Sequence, residues 1–287
     1  MTILLDGPLG TELQRRGVDT RLPQWSARAL QEAPEVLADV HRDYAAAGAE
    51  VHTTCTFRTR PATLGAGWVE AARRAVGLCR GAVPAGHRVA GSIAPLEDCY
   101  RPDLSPAHTA PAKTRAAHRA LAEVLAESCD LLLCETFPSA AEARLAVEAA
   151  VSTGRETWLA LTAGPDATLF TPASLAAAAR PCVDARASVV LVNCTPARLT
   201  GAYVRALRAA LPDAVSVGAY ANAGAADEGV GWTASPEPGA AAYARWAASW
   251  TDDGAKVLGA CCGTGPAHVR ALREMASRRA ASGPERA

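Results

Sequence analysis

The chain has 287 residues, 49% of them hydrophobic, with a formal net charge of zero and nine cysteines. That length and composition allow one large α/β domain or two small ones, and the scattered, balanced charge argues against nucleic acid or an anionic membrane as a partner. An odd cysteine count in a chain this long fits a reducing compartment, so a cytoplasmic protein without a disulfide framework is expected.

Taken in chain order, Ile3–Asp6 reads as a short strand rather than as part of a charged leader. Pro34–Ala47 follows as a helix with Val36, Leu37, Val40 and Tyr44 on one stripe, and then a strand at Val51–Cys55. Val69–Cys79 is a helix, Val89–Ala94 a strand, Pro106–Ser128 a long Ala-rich helix and Leu131–Glu135 a strand. Ser139–Ala150, Pro172–Ala179, Pro196–Ala210, Pro238–Ser249 and Pro266–Ala276 each open with Ser or Pro, as helix starts do. Between them lie strands at Thr157–Thr162, Val189–Cys194, Val215–Tyr220 and Lys256–Cys261. Residues 280–287 read as a frayed tail. No apolar run approaches the roughly 18 to 20 residues of a membrane span.

Strands alternating with helices imply βαβ units and a parallel sheet. Eight such units predict a single α/β domain over residues 1–287, a (β/α)₈ TIM barrel. A doubly wound open sheet is the alternative, but no Gly-x-Gly-x-x-Gly follows a strand. Barrel active sites lie at the C-terminal ends of the strands. Asp6, Thr54, Glu135, Cys194, Asn222, Cys261 and Cys262 fall there.

Cys194 ends one β-branched run, and the adjacent pair Cys261-Cys262 ends another. Three thiols at two strand ends can converge on one metal ion and leave a fourth tetrahedral position open, as in a catalytic zinc site. A soft thiolate set suits zinc, and the open position suits another thiol. Two other readings remain: buried apolar cysteines without metal, or a closed, non-catalytic zinc site with Cys55 as fourth ligand.

The chain resembles the homocysteine S-methyltransferase family of zinc-thiolate methyltransferases. The resemblance runs through Leu5-Asp-Gly-Pro-Leu-Gly-Thr-Glu-Leu13, Val51-His-Thr-Thr-Cys-Thr-Phe57, Gly91-Ser-Ile-Ala-Pro95 and Cys134-Glu-Thr-Phe137. It continues through Val192-Asn-Cys194, Tyr220-Ala-Asn-Ala-Gly224 and Gly259-Ala-Cys-Cys-Gly-Thr264. It implies a (β/α)₈ barrel in which Cys194, Cys261 and Cys262 hold Zn²⁺ and a homocysteine thiol binds as thiolate. Asp6-Gly7 and Thr54 would lie by the acceptor, Glu135 would meet its α-ammonium, and Asn222 would orient a thiolate or the substrate. Trp25 would face a cationic methyl donor. The family's usual second glycine is Pro8 here, and Arg58 stands where Tyr or Gln is common. An Arg there repels a sulfonium unless its head points elsewhere or takes a carboxylate. His52 is expected to face the helices rather than the site.

The implied reaction gives methionine from homocysteine with small-molecule substrates only and no protein partner. Room for folate and cobalamin modules is missing, as is the longer C-terminal extension of the betaine enzymes. S-methylmethionine or S-adenosylmethionine is therefore the expected donor, the former favoured because no glycine-rich nucleotide loop is visible. Another thiol or selenol acceptor is the alternative.

Overall fold

The computed structural model describes residues 2–225, 228, 230–232 and 236–282. Eight parallel strands form one sheet: β1 (Ile3–Leu4), β2 (Val51–Thr53), β3 (Arg88–Ile93), β4 (Leu131–Phe137), β5 (Glu156–Leu161), β6 (Val189–Pro196), β7 (Ser216–Asn222) and β8 (Val257–Ala260). Consecutive strands pair from β2 to β8, β8 pairs with β1, and a Leu5–Val51 bridge closes the ring. The predicted (β/α)₈ TIM barrel is the observed fold.

Helices follow the strands: α1 (Leu9–Arg15), α2 (Ala29–Glu32), α3 (Pro34–Ala47), α4 (Pro61–Leu64), α5 (Trp68–Ala82) and α6 (Pro111–Ala126). After β4 come α7 (Ala140–Val151), α8 (Pro172–Asp184), α9 (Ala197–Ala210), α10 (Pro236–Asp252) and α11 (Pro266–Ser282). Pro opens six of the eleven, preset at φ for a first helical turn.

Period-two alternation splits the apolar side chains into two shells. Leu5, Val51, Leu131, Leu133, Trp158 and Leu191 pack inside the barrel. Leu132, Leu159, Val190 and Val192 point out against the helices with Leu125, Val204 and Leu272. Inside the ring, Trp158 anchors its indole N–H on Glu156 at 2.7 Å. The filled interior leaves the C-terminal mouth as the place for a site.

Three expectations shift. The helix expected over Pro106–Ser128 begins only at Pro111, because Ala110 leaves helical geometry at φ −143°, ψ 57°. Short α1 was not anticipated from the sequence. Of the tail expected over 280–287, residues 280–282 complete α11, and 283–287 lie outside the described residues. No helix among the described residues is long and apolar enough to cross a membrane.

Candidate active site

At the C-terminal mouth lies a cavity of about 360 Å³, whose wall includes Asp6, Trp25, Arg58, Glu135, Cys194 and Cys262. Cys194 reaches it through a local irregularity. In β6 the inward phase is Leu191, so plain alternation turns Cys194 outward with Val190 and Val192. The register with β7 slips between Asn193 and Pro196, and Cys194 adopts φ 48°. Such bulges bend a strand and re-aim a side chain. Cys261 follows β8 and keeps the inward phase, packing partly on the barrel interior.

The three sulfurs lie within 4.8 Å of one another. Cys261 and Cys194 are 2.9 Å apart, Cys194 and Cys262 3.5 Å, and Cys261 and Cys262 4.0 Å. Zn–S bonds of about 2.3 Å at tetrahedral angles place sulfurs about 3.8 Å apart. Two of the three separations fit as they stand, and the Cys194–Cys261 pair needs only to open. Hydrogen bonds from Cys261 and Cys262 hold Cys194 well below the usual thiol range, and the hydrogen bonds to Cys194, with burial, push the other two up. Cys55 is not part of this cluster. Its thiol donates to the Ser26 carbonyl at 3.2 Å, and burial pushes it up to about 12. The closed site with Cys55 as fourth ligand is therefore not formed. Instead the Tyr100 hydroxyl sits 3.0 Å from Cys194 Sγ.

The backbone around these cysteines is held from three sides. Arg15 of α1 donates to the Thr264 carbonyl at 2.7 Å and the Gly263 carbonyl at 2.9 Å, and pairs with Glu12. Gly263 turns the loop at φ 82°, where a Cβ would stand 2.3 Å from the Trp232 ring. Asn222 donates to the Cys194 carbonyl at 2.9 Å and accepts from the Gly224 N–H at 2.8 Å. It is absent from the cavity wall, so its place is behind Cys194.

The same cavity is lined by two carboxylates, Asp6 buried and Glu135 half-buried. Asp6 accepts from the Thr53 N–H at 2.8 Å and the Thr53 hydroxyl at 3.0 Å. Burial raises it well above the ordinary range. Glu135 accepts from the Ser92 hydroxyl, and from Tyr220 at 3.0 Å. Burial pushes it up to about 7 against those hydrogen bonds. Its neighbour Thr136 has φ 61° in a second bulge of β4, tied to β6 by Asn193 Nδ2 at 2.7 Å. No Arg or Lys among the described residues pairs with either carboxylate. Buried carboxylates without a protein cation suit a cationic ligand.

Gly7 lines the same floor, and a Cβ there would meet the Tyr44 ring at 2.6 Å. Thr54 also lines the cavity, its hydroxyl 2.8 Å from that of Thr56. On the far wall Trp25 packs edge-to-face on Phe57, with centroids 5.3 Å apart. Trp25 itself has φ 47°, and a Cβ on Gly10 would meet it at 2.4 Å. Arg58 lies beside Phe57, 5.6 Å from its ring centre. His52 faces outward and stacks on His87.

Among the wall residues not singled out from the sequence are Thr53, Ser92, Tyr220, Phe57 and Tyr100. Thr53 shares the inward phase of Val51, and Tyr220 packs with the inner shell, so alternation carried their signal. Tyr100 stands in the aperiodic segment between β3 and α6 and carried none.

The sequence profile described as homocysteine S-methyltransferase matches residues 3–276. A homocysteine S-methyltransferase of Escherichia coli is 31% identical over 94% of this chain and 94% of its own length. Homocysteine S-methyltransferase YbgG of Bacillus subtilis is 28% identical over 94% of this chain and 93% of its own. The metallated form of the E. coli homocysteine methyltransferase MmuM superposes with a TM-score of 0.77 at 26% identity, covering 95% of this chain and 96% of that one. A match of this extent, joined to a shared barrel, makes the chain a member of the homocysteine S-methyltransferase family.

Proposed function

We propose that this barrel transfers a methyl group from a sulfonium donor, S-methylmethionine or S-adenosylmethionine, to the thiol of L-homocysteine, giving methionine. The observation that carries this reading is the meeting, in one cavity, of a three-sulfur cluster with two carboxylates that lack a protein cation. Cys194, Cys261 and Cys262 are the ligands for Zn²⁺. When bound, the ion ionises the acceptor thiol at neutral pH, while the thiolate surroundings leave that sulfur electron-rich.

Glu135 takes the acceptor's α-ammonium, aligned by Ser92 and Tyr220. Asp6, fixed by Thr53, adds negative potential beside it. Trp25 and Phe57, packed edge-to-face on each other, offer a ring face to the onium group. Asn222 and Arg15 keep the ligand backbones in place. The acceptor sulfur forms a bond to the methyl carbon as the donor's C–S bond breaks, and that electron pair leaves on the donor sulfur as a neutral thioether. No protein base is required, since the thiol has already lost its proton. All nine cysteines are free, which suits a reducing cytoplasm.

The test offers homocysteine with each methyl-labelled donor separately and reads labelled methionine by mass spectrometry, alongside metal content. Turnover with one donor, lost in Cys262→Ala, supports the reading. Zinc-loaded protein that transfers no label from any donor overturns it.

A further inference from the structure

Arg58 lines the cavity without a counter-charge. Its Nη1 donates to the Glu97 carbonyl at 3.2 Å, while its Nε is buried with no partner. No carboxylate among the described residues comes within ion-pair distance of it. Arg60 repeats the pattern: Nη1 donates to the Pro95 carbonyl at 3.0 Å, and Nε is again buried and unpartnered. Burial, then the charge of Arg58, lowers Arg60 from its usual range. Glu97 and Glu142 partly offset Arg60, whereas Arg58 has no carboxylate in direct contact.

A bare guanidinium beside the site of a cationic donor repels it, unless the donor brings an anion of its own. Trp25, Phe57 and Arg58 form one continuous run of contacts, which puts the guanidinium on the donor side of the cavity and away from Glu135. With Nη1 tied to Glu97 and Nε enclosed in the protein, Nη2 is the N–H group left to meet a carboxylate, the anion a guanidinium recognises well.

We infer that Arg58 receives the carboxylate of the methyl donor, so that the enzyme selects carboxylate-bearing sulfonium donors over bare onium ions. This rests on the methyl-transfer reading above. S-methylmethionine and S-adenosylmethionine share that carboxylate.

The test is calorimetric binding of S-methylmethionine and of its carboxamide to metal-loaded protein, at about pH 6.5, below the α-amino range. S-adenosylmethionine is titrated in parallel to separate the two donors. Wild-type protein is expected to prefer the acid over the amide roughly 10- to 100-fold, the worth of a hydrogen-bonded charge pair. Arg58→Gln should remove that preference, and Arg58→Lys should keep part of it, which excludes general disruption. Equal binding of acid and amide by wild-type protein, no binding of either, or an undiminished preference in Arg58→Gln overturns the inference. Methyl transfer to homocysteine is followed in the same wild-type sample. Its absence with the acid preference intact sinks the transfer reading and leaves Arg58 standing.

Discussion

Glu135→Gln should move two measurements in opposite senses. The carboxyl is held up from the usual 4.5 to about 7 by burial. A raised folded value makes ionisation costly to the fold: stability is fully present below 4.5 and is lost as pH rises through about 7. That rise corresponds to at most about 3 kcal/mol at pH 8, less whatever the open cavity screens. Gln carries no charge, so the ligand-free variant should unfold at higher urea than wild type at pH 8 and lose that advantage near pH 4.5. The same substitution removes the partner proposed for the α-ammonium. A charge-assisted bond of about 1.5–3 kcal/mol predicts a KM for homocysteine raised roughly 10- to 100-fold. In wild type that KM should also rise as pH falls below about 7 and Glu135 takes up a proton, a dependence absent from the variant. The assays are initial-rate methyl transfer across pH and urea unfolding monitored by circular dichroism. A variant that is less stable but has an unchanged KM would show Glu135 to be an anchor for Ser92 and Tyr220, and the ammonium assignment would fall.

Cys262→Ala should leave two sulfurs and lose the metal on dialysis, read by elemental analysis; full retention would remove Cys262 from the ligand set. Asn222→Ala frees the Cys194 carbonyl and should weaken metal affinity about 10- to 100-fold, as outer-shell changes do; chelator competition reads it. Gly10→Ala drives a methyl into Trp25 and should weaken donor binding more than homocysteine binding, with a change in indole fluorescence. Burial holds His41 down to about 3 and His52 down to about 4. Both are neutral in folded and unfolded chains above about pH 6.5. Below it the unfolded chain binds protons the fold refuses, costing about 2 kcal/mol per imidazole at pH 5. Glu135 and Asp6 gain stability over the same range in both proteins, so the test is the difference: the wild-type urea midpoint should fall relative to that of His41→Leu between pH 7 and pH 5.

What the sequence carried, and what it withheld, divides along the geometry of the strands. Alternation placed Glu135 and Cys261, whose side chains keep the inward phase of Leu133 and Val257, while Asp6 was placed only by its position past the end of β1, since Leu5 already holds the inward phase there. Cys194 does not obey it: by phase it belongs with Val190 and Val192 among the helices, and only a left-handed residue in a bulge brings it inside. No glycine marks that turn, so the pattern of residues gave no sign of it; Cys194 was legible as a thiol at a strand end, and its inward aim came only with the fold. The seven-residue α1 is too short for a helical period to register, yet its Arg15 clamps the Cys-Cys-Gly-Thr loop. Tyr100 sits beyond any periodic segment. Among the described residues six non-glycine positions have positive φ, and Trp25, Thr136, Cys194 and Trp232 lie at the barrel mouth. Such conformations cost about 1–3 kcal/mol each and persist only where neighbours over-determine them. Here the neighbours come from other strands: Asn193 holds Thr136, Asn222 holds Cys194, and Gly263 and Gly224 receive the Trp232 backbone and indole N–H groups. The strain and its supports are spread over β4, β6, β7 and the loop after β8, so the site is a property of the closed barrel and not of any one segment that could be read alone.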